Sequence, residues 1–279
     1  MNLCVLGSGS KGNAILIWEP APVSGVNNLP WALPWAVLID CGLSAAAITD
    51  YLKQFRMAPA DVKAILISHA HGDHWQSLLP FWKKCPSAIV YAHAATIATM
   101  QGKIGDGKRF PGDTRAVEFG KPFPLSRDHA KLFVAVGLAC EHNAEGAMTF
   151  CVKNHAGRKV AIFNETGKIT PAMWKAGLGA QVYCIEMNHD QTACLENPNR
   201  PDTVSQRTWG THVNNDQAGL AIQHLPESAH TVVALHLSSE NNDPELVRRI
   251  MAWANARRRK QLSALIVSSQ EFATGVIEV

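Results

Sequence analysis

Several absences narrow the field before any motif is read. The 279-residue sequence holds only seven cysteines, an odd number, and no two stand in a CxxC pair. A disulfide framework and a zinc knuckle are thereby excluded, and reduced thiols in a cytoplasm are expected. Long apolar runs are missing too. The most hydrophobic later segment, Leu29 to Ile39, is broken by Pro30 and Pro34 and is far shorter than the roughly 20 residues that a bilayer-spanning helix needs. The start, Met1-Asn-Leu-Cys-Val-Leu-Gly7, lacks a basic region and a long apolar core, so a strand is expected there and no leader or membrane anchor. Charge of either sign is not in excess. A net charge of +3 disfavours a wholly basic, DNA-coating protein and leaves three local patches, Lys103 to Arg109, Arg248-Arg249 and Arg257 to Lys260, each expected to be a solvated face. No tandem repeat is present, and no feature sets an oligomeric state. A Walker loop is absent as well, because Lys11-Gly12-Asn13 precedes another strand where GK[ST] would open a helix.

What is present is concentrated in residues 63–75, Lys63-Ala-Ile-Leu-Ile-Ser-His-Ala-His-Gly-Asp-His-Trp75. Ala64 to Ile67 is short, apolar and rich in branched side chains, the pattern of an internal strand. His69 and His71, two apart in extended chain, project to the same side, and Gly72 lets the backbone turn. Asp73 and His74 then open a helix whose buried stripe is Trp75, Leu78, Leu79 and Trp82. Three imidazoles and a carboxylate crowded at one strand end are costly without a cation to neutralise them, so a metal site is expected here.

The rest of the chain supplies a frame. Residues 2–6 and Ala14 to Trp18 read as paired strands around a glycine-rich turn, with Ser8, Ser10 and Asn13 placed to line the floor of a site. Residues 19–36, with four prolines, read as an inserted loop. Val37 to Asp40 is a third strand, followed by a helix capped by Ser44. Further strands are expected at 88–91, 115–119, 132–138, 147–152, 158–163, 181–185, 231–237, 263–268 and 272–278. Helices are expected at 94–100, at 171–176, after Asn215, and from Pro244 with Asp243 as cap. On that last helix Leu246, Val247, Ile250, Met251 and Ala254 should face inward and Arg248, Arg249, Arg257 and Arg258 the solvent. The order implies the α/β class: a single αββα sandwich over residues 1–279, with two mixed β-sheets flanked by helices.

Polar groups recur where strands stop: His142, Glu165, Glu186-Met-Asn-His189-Asp190 and His236. The HxHxDH run in its strand-to-helix setting resembles the signature of the metallo-β-lactamase superfamily of binuclear metallohydrolases. Counting ligands at strand ends then gives His69, His71 and His142 for one cation, and Asp73, His74 and His236 for a second, with Glu165 between them. Seven such side chains exceed what one tetrahedral ion uses. Two divalent transition-metal ions are therefore expected, zinc or manganese, with iron also compatible. His93, His129, His155, His224 and His230 lack comparable partners and read as structural.

The resemblance narrows with GSGSxGN, LIDCGLS, ISHAHGDH, NETG, EMNHD, THVNN and ALHLSSENNDPE, which span most of the chain and are similar to the YycJ/WalJ-type branch. That branch comprises bacterial and phage proteins regarded as 5′-to-3′ DNA exonucleases. Membership implies DNA as substrate and a dinuclear-metal-activated hydroxide as nucleophile, oriented by Asp73, with His212 as donor to the departing oxygen. His189, Asn215 and Asn241 are the residues of the late motifs expected to meet substrate. His212 is alternatively the cap of the following helix. The sequence departs from the branch at three points. Glu165 stands where the family has a bridging aspartate, His142-Asn143 where it has His-Asp, and Thr211-His-Val-Asn-Asn215 where it has GHLSN. Hydrolysis of a small ester, lactone, thioester or cyclic phosphodiester uses the same chemistry and is the alternative. A catalytically weakened binding protein, suggested by Glu165, is the second.

Overall fold

The period-two alternation of a half-solvated sheet is nearly absent from the strands. Ala14–Glu19, Val182–Glu186 and Thr231–Leu235 are buried at every position, which is what a strand covered on both faces requires. The computed structural model describes residues 1–20, 34–105, 110, 112–125, 132–197 and 208–279. Most of the expected proline-rich insertion, Lys108 and Arg109 of the basic stretch, and His129 lie outside the described residues.

In chain order the strands are β1 (Asn2–Gly7), β2 (Ala14–Glu19), β3 (Trp35–Ile39), β4 (Val62–Leu66), β5 (Ile89–His93), β6 (Thr114–Val117), β7 (Pro122–Pro124), β8 (Phe133–Ala139), β9 (Met148–Asn154), β10 (Lys159–Phe163), β11 (Val182–Glu186), β12 (Thr231–Leu235), β13 (Ala264–Val267) and β14 (Ile277–Glu278). They form two seven-stranded sheets, ordered β14-β1-β2-β3-β4-β5-β6 and β13-β12-β11-β10-β9-β8-β7. From β14 inward the first sheet has three antiparallel pairings and then three parallel ones. The second repeats that pattern from β7. The molecule is thus two similar halves, a symmetry that no sequence repeat announces.

Eight helices cover the outer faces: α1 (Ala45–Gln54), α2 (Gly72–Trp75), α3 (Leu78–Trp82), α4 (Ala94–Ile104), α5 (Pro171–Gly177), α6 (Gln191–Glu196), α7 (Asn215–Gln223) and α8 (Pro244–Ala256), counted among the described residues. One apolar core lies between the sheets, where Val5, Ile17, Val37 and Leu66 meet Phe133, Phe150, Val160 and Leu235. A second packs Ile48, Leu52, Phe81 and Met100 of the first-half helices on the first sheet, and a third packs Met173, Ile222, Val247 and Met251 on the second. The expected αββα order of layers is what forms. All seven cysteines are unpaired, and among the described residues no helix is long and apolar enough to cross a membrane.

Two expectations are corrected. The helix read from Asp73 through Trp82 is two short helices, α2 and α3, because Pro80 has no N–H to continue a ladder and its ring crowds the carbonyl four residues back. Ser77 N instead donates to Cys41 O at 3.1 Å, tying the break to the loop after β3. The second correction is Arg258, which is buried rather than solvent-facing. Its guanidinium donates to the carbonyls of Ile222, Leu225, Pro226 and Lys260, and so satisfies the carbonyl end of α7 that would otherwise be orphaned. Arg258→Ala is expected to destabilise by about 3 kcal/mol, the scale of several buried charged hydrogen bonds lost together. Urea unfolding with a midpoint equal to the parent's would refute this.

Candidate metal centre

Six strands, β3, β4, β8, β10, β11 and β12, deliver their C-terminal exits to one rim between the sheets. Three of these exits run through residues in the left-handed region: Asp40 (φ 59°), Glu165 (φ 55°) and His236 (φ 52°). Such conformations cost about 1–3 kcal/mol each without glycine and persist only where the surroundings over-determine them. Of the four non-glycine residues with positive φ among the described residues, these three are at the site.

Three imidazole nitrogens converge first. His69 Nε2 and His71 Nδ1 are 2.9 Å apart, and His142 Nε2 is 3.2 Å from His71 Nδ1. Ligands about 2.0–2.1 Å from a tetrahedral ion stand roughly 3.4 Å from one another, so the trio is already near the spacing of a coordination face. Burial keeps all three imidazoles below histidine's ordinary pKa, with neighbouring rings adding to the effect at each. Neutral rings are the ligating form.

Glu165, which is buried, stands between this trio and the opposite wall. Its Oε2 is 3.4 Å from His142 Nε2, while Oε1 is 2.5 Å from His236 Nδ1 and 3.3 Å from His74 Nε2. Each oxygen therefore faces a different group of nitrogens, despite the methylene that separates glutamate from aspartate. Oε1 has no hydrogen-bond partner of proper geometry among the described residues. A buried carboxylate oxygen that lies among imidazole nitrogens and has no well-formed hydrogen bond is a suitable ligand for a cation.

Ligand atoms close enough to share an ion group as His69, His71 and His142; as His69, His74 and Glu165; and as Glu165, Glu186, His212 and His236. Asp73 is at the margin, with Oδ2 3.4 Å from His74 Nε2. The last group contains a residue that the sequence reading quoted in EMNHD but gave no role. Glu186 is fully buried. Its Oε1 lies 2.7 Å from His212 Nδ1 and 3.1 Å from His236 Nδ1, and its Oε2 accepts from Thr166 N and Val213 N. Burial acts against charge on these rings, but Glu186 raises the pKa of His212, and Glu165 leads Glu186 in pushing that of His236 up to about 10. His212 does not cap α7; Asn214 does, accepting from Gln217 N.

Asp40 is the other residue passed over. Its Oδ2 is 2.8 Å from His74 Nδ1 and accepts from Ser68 Oγ, while Oδ1 accepts from Ser68 N. This carboxylate fixes which nitrogen of His74 is free to face the centre. Burial alone would lower the His74 pKa, but Asp40 carries it well above the ordinary value. The signal was an acid at a strand exit in LIDCG. Gly42 explains the rest of that motif, since a Cβ there would sit 1.6 Å from Asp73 O. We expect Asp40→Asn, which keeps shape and tolerates positive φ, to lower metal affinity roughly 10–100-fold. Chelator competition measures it, and parent-like affinity would remove Asp40 from the centre.

The expected substrate residues divide. Ser10 is exposed and lines a cleft of about 270 Å³ with Thr208, His212, His236, Ser238 and Glu240. The others are buried, and each has a polar atom in a hydrogen bond within the scaffold. Ser8 Oγ accepts from His236 N, and Asn13 Nδ2 reaches Gly9 O, Asp73 Oδ2 and His74 Nε2. His189 O accepts from Asn215 N, Asn215 Nδ2 donates to Asn242 Oδ1, and Asn241 Oδ1 accepts from Asn197 Nδ2.

Residues 36–147 match the family model described as the metallo-beta-lactamase superfamily. The chain is 29% identical over 255 residues to exodeoxyribonuclease YycJ of Bacillus anthracis, covering 89% of this chain and 86% of that one. It is 26% identical over 250 residues to exodeoxyribonuclease WalJ of Streptococcus pneumoniae, covering 88% and 85%. Among solved structures, the metallo-beta-lactamase fold protein YhfI of Bacillus subtilis superposes over 98% of both chains with a TM-score of 0.64 at 16% identity.

Proposed function

We propose that this chain, which belongs to the metallo-β-lactamase superfamily in its YycJ/WalJ-type branch and is a hydrolase of that fold, is a two-metal exodeoxyribonuclease working in the 5′-to-3′ direction. The observation that carries it is Glu165, whose two oxygens address two different groups of imidazoles. His69, His71 and His142 would hold one divalent ion, and His74, Asp73 and His236 the other, with Glu165 shared and Glu186 behind His236. Bound there, two such ions supply Lewis acidity toward a phosphoryl oxygen and bring the pKa of a water near neutrality. DNA as the substrate rests on the two exodeoxyribonucleases that the chain resembles along most of its length. The unpaired cysteines support a reducing, cytoplasmic setting.

The chain's own groups then divide the work. Asp73, held by Asn13 Nδ2 at 3.3 Å and partly open, orients the attacking water. His212 has Nδ1 pinned on Glu186, so Nε2 is its nitrogen available to the cleft it lines. Glu186 favours the protonated ring, and that proton is the one offered to the departing oxygen. Ser10 and Ser238 at the cleft wall give hydroxyls to a nucleotide at the chain end.

The test is metal analysis followed by incubation with DNA labelled at the 5′ or 3′ end, beside an aryl phosphodiester and a panel of lactones. Two metal equivalents and early release of 5′-labelled mononucleotide are expected. Lactone hydrolysis without DNA cleavage would replace this reading with the small-molecule one, and metal binding without any hydrolysis with a binding protein.

A further inference from the structure

The carboxylates of Asp40, Asp73, Glu165 and Glu186 match in number the charges of two divalent ions, so the loaded centre holds no surplus with which to draw in a polyanion. Attraction of a nucleic-acid backbone must come from cations around the mouth. Many of the described basic groups are engaged elsewhere. Lys168 pairs with Glu141 at 2.5 Å, Arg248 with Glu245, and Arg259 with Glu227 at 3.5 Å. Arg257 lies 4.0 Å over the Trp253 ring, and Arg258 is buried, with its guanidinium turned into the protein. Lys103 differs. It sits in the last turn of α4, exposed, and its ammonium donates at 2.6 Å to the carbonyl of Ala70, the residue between His69 and His71. Its charge reaches the His71 ring. A neutral carbonyl occupies one of three donors and cancels none of the charge.

We propose that Lys103 binds a DNA backbone phosphate beside the scissile linkage, on the His71 side of the centre. The proposal rests on the exonuclease reading and names a backbone-binding element within it: an exposed positive charge anchored on the ligand loop between His69 and His71. The hydrogen bond to Ala70 fixes the reach of the side chain, which lowers the entropy lost when the second and third donors engage a phosphate. As a contact to backbone rather than base, it carries no sequence preference.

The experiment compares metal-loaded parent, Lys103→Gln and Lys103→Arg. Binding to fluorescent DNA with phosphorothioate terminal linkages is followed between about 0.05 and 0.2 M salt, with metal content and steady-state kinetics on ordinary DNA. For Lys103→Gln the slope of log affinity against log salt should shrink by about one, and binding near 0.1 M should weaken on the order of tenfold, whatever the sequence. KM should rise with kcat and metal content retained, and Lys103→Arg should restore the slope. An unchanged slope in Lys103→Gln overturns the proposal. So does an unchanged slope accompanied by lost metal, which would make Lys103 only a tie between α4 and the ligand loop. If the parent cleaves DNA and Lys103→Gln behaves like it, the exonuclease reading stands and this inference falls. A parent that neither binds nor cleaves DNA overturns both.

Discussion

Glu165→Gln is expected to lose one of two metal equivalents and to lower phosphodiester hydrolysis by far more than the roughly 10–100-fold that follows loss of an outer partner. The amide keeps the volume of the carboxylate but leaves one oxygen where two were, and that oxygen is neutral. Oε1 now faces His74 and His236 and Oε2 faces His142, so one of these groups must meet an NH₂ that cannot ligate. The fold should survive, because the loop is held without the Glu165 side chain. Thr166 N donates to Glu186 Oε2, and Gly167 N to Glu141 O. Glu165→Asp is the control. It restores the residue that the resembled family carries, and two-metal binding should persist once the loop relaxes by about a methylene. Titration of both variants with manganese and zinc, beside DNA cleavage, decides the matter. If Glu165→Gln binds two ions and cleaves like the parent, Glu165 is not a ligand.

His71→Ala should abolish hydrolysis while leaving a soluble, folded chain. His71 precedes α2 as its N-cap residue but makes no side-chain capping bond. Its carbonyl, which alanine retains, accepts from His74 N at 3.1 Å. What the substitution removes is the nitrogen that stands 2.9 Å from His69 and 3.2 Å from His142. The remaining pair of imidazoles cannot complete a three-ligand face, so one metal equivalent should leave. The metal-free variant should melt within about 1 kcal/mol of the metal-free parent, as for a partly exposed residue whose side chain supports no core. Loss of soluble protein would make His71 structural and sink the assignment.

How far the site was legible depended on what each residue type reveals locally. HxHxDH announced a cation because its groups crowd within six residues, where their mutual cost is visible without a fold. Glu186 and Asp40 gave no such sign. Each is a single acid at a strand exit, and its importance comes from partners far along the chain: His212 and His236 for Glu186, His74 for Asp40. His189, Asn215 and Asn241 read as substrate contacts from their motifs, and only the fold shows that all three are buried.

The sequence by itself determined that both faces of the strands are covered, that helices alternate with them in the order of an αββα sandwich, and that imidazoles and carboxylates gather at strand exits. These follow from hydrophobic patterning and ligand chemistry, which are written residue by residue. Only the tertiary structure decided which acids stand behind which imidazoles, that each oxygen of Glu165 faces a different group, that Arg258 turns inward to close α7, and that Lys103 is anchored on the loop of His69 and His71. These depend on contacts between distant segments, whose distances are set by how two sheets and their covering helices pack, and no local periodicity encodes them.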